Sequence, residues 1–76
     1  MSELKTIFAE SLGIEESLVT NKLTYNKIPQ WDSVAHMVLI NNLETKYDIL
    51  FETDDIIDMS NFEKAKTILQ KYDINV

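Results

Sequence analysis

Apolar residues recur every three or four positions in three separate stretches of this chain, and that spacing restricts it to packed helices. Leu4, Ile7, Phe8 and Leu12 form the first stripe, His36, Leu39, Ile40, Leu43 and Tyr47 the second, and Phe62, Ala65, Ile68, Leu69 and Tyr72 the last. Boundary signals bracket each stripe. Ser2 can cap the first helix, Glu3 suits its positive end, and Gly13 supplies a stop. The second helix begins at the Trp31-Asp32-Ser33 corner, with Ser33 or Asp32 as the cap, and is expected to run to Lys46 or Tyr47. The last opens on Ser60-Asn61-Phe62-Glu63, a capping box with serine at the cap and glutamate three positions on.

Between these stripes the signals are shorter. Ile49-Leu50-Phe51 has the length of a strand but no partner run, so it is expected to be a buried connector. Thr53-Asp54-Asp55 opens a short helical turn through Met59, with Ile56 and Ile57 facing inward. The stretch from Ile14 to Asp32 has no sustained period, and its Thr20-Asn21, Tyr25-Asn26 and Ile28-Pro29 steps read as turns. Leu18, Val19, Leu23, Tyr25, Ile28 and Trp31 are enough apolar anchors to order it. The expected fold is all-α: a small four-helix bundle, with three long helices, one short third helix and a long ordered loop between helices 1 and 2, in a single domain over residues 1–76.

Composition narrows the function. Seven Lys+Arg against 13 Asp+Glu give a net charge of −6, which argues against nucleic acid and favours partners that carry Lys and Arg. Met37-Val38-Leu39-Ile40 is the longest apolar run, far below the roughly 20 residues of a membrane helix, and no signal peptide is read at the start, so a cytoplasmic monomer is expected. The chain has no Cys, hence no thiolate metal site and no thiol nucleophile of its own. His36 is the only histidine. It lies one helical turn from Ser33, but no Gly-rich oxyanion loop or second base accompanies the pair, so no catalytic residues and no intrinsic enzyme activity are expected. Asp54, Asp55 and Asp58 lack the spacing of a calcium loop and are read as a solvated acidic face, with no metal site expected. Trp31 and His36 are read as packing residues. Val34, Met37 and Val38 fall outside the core stripe, so either the second helix is buried on two sides or these residues form a contact surface.

Asp32-Ser33-Val34 follows a long loop, opens the second helix, and is followed by apolar residues through Leu43 and Tyr47. In this respect the chain resembles the acyl and peptidyl carrier proteins, whose mark is Asp-Ser-(Leu/Val/Met) at that place in a small acidic helical domain. The resemblance extends over essentially the whole chain, and Trp31-Asp32-Ser33-Val34-Ala35-His36-Met37 with Phe51-Glu52-Thr53-Asp54-Asp55-Ile56 is similar to free-standing bacterial carriers. It implies that a phosphopantetheinyl transferase, using coenzyme A and magnesium, attaches phosphopantetheine to Ser33. The thiol of that group would carry acyl or aminoacyl thioesters between biosynthetic enzymes, from a loading ligase to downstream acyl-transfer enzymes. Asp32 would position the serine and contact the transferase's metal. Val34, Met37 and Val38, with the acids Glu44, Asp54 and Asp55, would meet partner enzymes. Unlike many members, this chain has His36, Val38, Asn41 and Asn42 over much of the second helix where acids are common. The alternative from another class is a non-covalent helical adaptor using the Val34/Met37/Val38 surface, with Ser33 only a cap.

Overall fold

All three apolar stripes form helices. The structure, a computed structural model that describes residues 3–75, contains α1 (Glu3–Leu12), α2 (Ser33–Tyr47), α3 (Thr53–Asp58) and α4 (Phe62–Lys71), with a single 3-10 turn at Glu16–Leu18. The expected Ser2 cap lies outside the described residues. Among them no strand forms, and the only extended pairing is an isolated antiparallel bridge between Thr24 and Asn61. Among the described residues no helix is long and apolar enough to cross a membrane.

The stripes converge on one core. Leu4, Phe8 and Leu12 of α1, Leu39, Ile40 and Leu43 of α2, and Phe62, Ala65, Ile68 and Leu69 of α4 belong to a single buried cluster, joined by Val19, Leu23, Trp31, Phe51 and Met59 from the connections. Phe8 lies at its centre, edge-to-face with Trp31 at 5.6 Å and with Phe62 at 5.0 Å between ring centroids. A radius of gyration of 11.1 Å matches the roughly 11 Å expected of a compact unit of this length. Tyr47 is half-buried at the far end of α2, where burial and then the charge of Glu3 push its phenol up from the ordinary value.

Each of the longer helices stops in the same way. Gly13 (φ 68°), Asp48 (φ 55°) and Asp73 (φ 66°) adopt the left-handed conformation after α1, α2 and α4. The next residue is isoleucine each time, and its amide reaches back five positions: Ile14 to the Ala9 carbonyl, Ile49 to Glu44 and Ile74 to Leu69, at 3.0–3.1 Å. All three isoleucines pack against the core. A left-handed glycine or aspartate followed by isoleucine thus closes the helix and covers the core edge in a single step.

The long loop is ordered, though not by every expected anchor. Val19, Leu23 and Trp31 are buried and Ile28 is half-buried, whereas Leu18 and Tyr25 are exposed, Tyr25 while still meeting the Trp31 ring. The Tyr25 amide donates to the Ser60 carbonyl (2.7 Å) and the Phe62 amide to the Leu23 carbonyl (3.0 Å), which straps the loop to the α3–α4 junction. That strap also shifts the predicted cap by one position. Bridging to Thr24 holds Asn61 extended, so Asn61 rather than Ser60 caps α4, its side-chain oxygen accepting from the Lys64 amide at 2.6 Å. Two further expectations are corrected. Leu50 is 82% exposed, so only Ile49 and Phe51 of the connector turn inward, and Ile57 is 73% exposed while Ile56 packs on the core. In a helix of so few residues as α3 only one edge can face the core.

Gly13→Ala should lower the unfolding free energy by about 1 kcal/mol through backbone strain alone, because nothing lies within 4 Å of an added Cβ. Asp48→Gly should raise it by roughly 0.5–1 kcal/mol, by relieving the same strain and removing an acid from the negative end of α2. Urea unfolding of the two variants against the parent protein measures both signs.

Candidate functional site

Asp32 and Ser33 are both good capping residues, and the backbone decides between them. Residue 32 is extended (φ −103°, ψ −173°), and its carboxylate Oδ1 accepts from the Ala35 amide at 2.9 Å. Its carbonyl accepts the first helical bond, from the His36 amide at 2.8 Å. Asp32 is therefore the cap and Ser33 the first residue inside α2. Ser33 is exposed, and its hydroxyl is not drawn into the cap. The amides of Ser33 and Val34 sit in the first turn, where no intrahelical acceptor exists, at the positive end of the helix.

The turn carrying Ser33 is held from below. Trp31 is fully buried, and its Nε1–H donates to His36 Nδ1 at 3.0 Å. With Nδ1 accepting, the neutral imidazole carries its proton on Nε2, which donates to the Ile56 carbonyl of α3 at 2.8 Å. Tyr25 closes over both rings, with centroids 6.1 Å from Trp31 and 5.3 Å from His36. Both imidazole nitrogens are thus engaged, and neither serves as a base for Ser33.

On its outer side α2 is apolar and uncovered. Val34 is 73% exposed, Met37 55% and Val38 44%, and with Ser33 and Asn41 they line a shallow groove. Of the two readings of these residues, burial on two sides is excluded. A second shallow groove continues from Asn41 past Glu44, Thr45 and Asp48 to Leu50. On the other flank, Tyr25, His36, Ile56, Ile57, Met59 and Ser60 line a more enclosed apolar cavity.

The acids expected at a partner surface divide. Asp54 is exposed. Glu44 is half-buried, and its Oε2 accepts from the Phe51 amide at 2.9 Å, so it holds the α2–α3 connector. Asp55 departs furthest from the solvated acidic face in which its sequence neighbours place it: it is buried, with Oδ1 2.5 Å from Lys71 Nζ and Oδ2 2.5 Å from the Tyr72 hydroxyl. The Tyr72 oxygen in turn accepts from the Glu52 amide at 3.1 Å, satisfying the start of α3. Lys71 and then Tyr72 hold the Asp55 carboxyl below its ordinary value against the opposing effect of burial, and the bond to Asp55 raises both partners. No local signal marks this cluster in the sequence, because its members lie 16 and 17 positions apart. The Trp31–His36 bond was within reach, since a buried indole N–H needs an acceptor and the only histidine lies nearby.

No three carboxylate or imidazole side chains among the described residues gather into a metal-ligand set. No family model matches the chain, and no curated protein matches it.

Acid titration should expose the Asp55 cluster. A carboxyl whose folded value lies below the unfolded one contributes stability that is complete above 3.8 and is lost as the pH falls through the folded value. Asp55→Asn should therefore be less stable than the parent at neutral pH, and its stability should fall less steeply below about pH 4. Chemical denaturation at stepped pH between neutral and strongly acid conditions measures the difference in slope.

Proposed function

We propose that this chain is a carrier protein, a small four-helix bundle whose Ser33 is the attachment point for phosphopantetheine. The observation that carries this reading is the division of labour at the start of α2: Asp32 takes the cap, and Ser33, one residue inside, keeps an exposed hydroxyl. A hydroxyl so placed suits modification by a separate enzyme. In that step Ser33 Oγ attacks the phosphorus of coenzyme A that bears the pantetheine arm, its proton passes to a base of the transferase, and adenosine bisphosphate leaves. The residues of this chain fit the product. Its phosphodiester charge would lie beside the free amides of Ser33 and Val34 and the positive end of α2. Once attached, the group supplies the thiol that this Cys-free sequence lacks.

Beside the serine, Val34, Met37 and Val38 offer a small apolar surface on which a succession of enzymes could dock and leave, and methionine adapts to differently shaped partners. Asp54, exposed on α3, can meet basic residues of those enzymes, whereas Glu44 and Asp55 are committed within the fold. In this reading the chain works as a cytoplasmic monomer, served by a phosphopantetheinyl transferase, a loading ligase and acyl-transfer enzymes, and carries acyl or aminoacyl thioesters without catalysing their chemistry.

Incubation with coenzyme A, magnesium and a broad-specificity transferase should add the mass of one phosphopantetheine, and Ser33→Ala should abolish the gain by intact-protein mass spectrometry. An unmodified parent protein overturns the reading and leaves the non-covalent adaptor, for which Ser33→Ala is silent. Asp32→Ala should lower stability by about 1 kcal/mol through loss of the cap, a change read separately by thermal unfolding.

A further inference from the structure

We infer that His36 is a positioning residue for Ser33, its imidazole locking the turn that bears the hydroxyl to the chain entering α2 and to α3 at once. The inference rests on the carrier reading. Trp31 and His36 flank that turn on either side. The backbone closes it through the His36 amide on the Asp32 carbonyl, and the side chains close it again through Trp31 Nε1–H on His36 Nδ1, at 2.8 and 3.0 Å. Trp31 is a fixed reference: it is fully buried, meets Phe8 of α1 edge-on, and has its backbone amide and carbonyl bonded to Ile28 and Asn26. The second imidazole nitrogen reaches Ile56, whose carbonyl falls in the last turn of α3 and lacks an intrahelical donor. One ring therefore sets the first turn of α2 against α1 through the indole and against α3 directly.

This lock acts on presentation and leaves the reacting atoms untouched. An enzyme that modifies or reads Ser33 must also meet Val34 and Met37, and it binds most tightly if these already stand in the right relation to α3. Without the lock the competent arrangement is only a fraction of the population, and apparent affinity falls by that fraction. The expected signature is a raised KM for the carrier with kcat preserved.

The test measures transferase kinetics on Ser33 with coenzyme A saturating and the carrier concentration varied, at a temperature where every variant is folded by circular dichroism. His36→Phe keeps a ring but loses both bonds, and should raise KM about tenfold with kcat changed by less than about twofold. His36→Gln, which retains one acceptor and one donor, should recover part of the loss. Ile68→Val, a core change on a different helix, α4, should leave KM unchanged. In parallel, amide hydrogen exchange should show the Ala35 and His36 amides losing protection in His36→Phe. A parent-like KM in His36→Phe overturns the inference while leaving the carrier reading intact, and Trp31→Phe, which removes the indole donor along with part of the buried ring and leaves His36 in place, serves if His36→Phe does not fold. If the parent protein itself is not modified, the carrier reading fails, and parent-like exchange in His36→Phe would show that the lock is absent as well.

Discussion

The indole N–H of Trp31 is the group around which this structure is organised. Trp31 is fully buried, and a donor left unsatisfied there would cost on the order of 1–3 kcal/mol. His36 Nδ1 meets the need, and turning that nitrogen inward leaves Nε2–H to donate to Ile56 of α3. A single buried donor thus fixes where α2 starts, which way its first turn faces, and where α3 lies against it. The ring contacts of Phe8 with Trp31 and Phe62 extend the same constraint to α1 and α4. Because edge-to-face pairs have preferred geometries, these contacts orient elements as well as burying area.

Charge is distributed differently from what a net balance of −6 implies. The outward face of α2, from Val34 through Met37, Val38 and Asn41 to Thr45, is uncharged. Two acids that could have bordered it work internally: Glu44 receives the Phe51 amide, and Asp55 receives Lys71 and Tyr72. The Lys46–Glu3 and Lys64–Asp58 pairs, at 3.4 and 3.8 Å, are exposed at both ends, where such pairs contribute little. Apart from the exposed Asp32 at the cap, the acidic character therefore falls on the flanks, and the Val34, Met37 and Val38 surface beside Ser33 offers dispersion contacts more than charge. A partner gripping this face would gain specificity from shape near the serine and would feel charge mainly at long range.

Much of this was legible in the sequence, and what was not shares a cause. Helix order, the Gly13 stop and the burial of Leu39, Ile40 and Leu43 follow from local spacing and capping chemistry. Errors arose where a distant partner overrode a local signal. Ser60 and Asn61 are near-equal caps by propensity, and the bridge to Thr24 selected Asn61. Asp55 resembles its exposed neighbours until Lys71 and Tyr72, a full helix away, arrive beside it. Leu50 and Ile57 look like core residues because of their type, but short elements have too few positions to turn every apolar side chain inward. The helix stops at Asp48 and Asp73 were harder to see than Gly13, since aspartate marks the left-handed conformation weakly, and the following isoleucine is the clearer signal.

The availability of the Ser33 hydroxyl depends in the end on its neighbour. Serine and aspartate cap helices about equally well, and had residue 33 taken that place its oxygen would have been drawn back toward the helix amides. Two things prevent it. The Trp31 anchor places the chain so that residue 32 is the last extended one, and the Asp32 carboxylate reaches the Ala35 amide from there. A shift of the helix start by one residue would move Trp31 relative to His36 by about 100° around the axis and break the bond between them. The buried tryptophan therefore fixes the register of α2, and the register leaves the serine free.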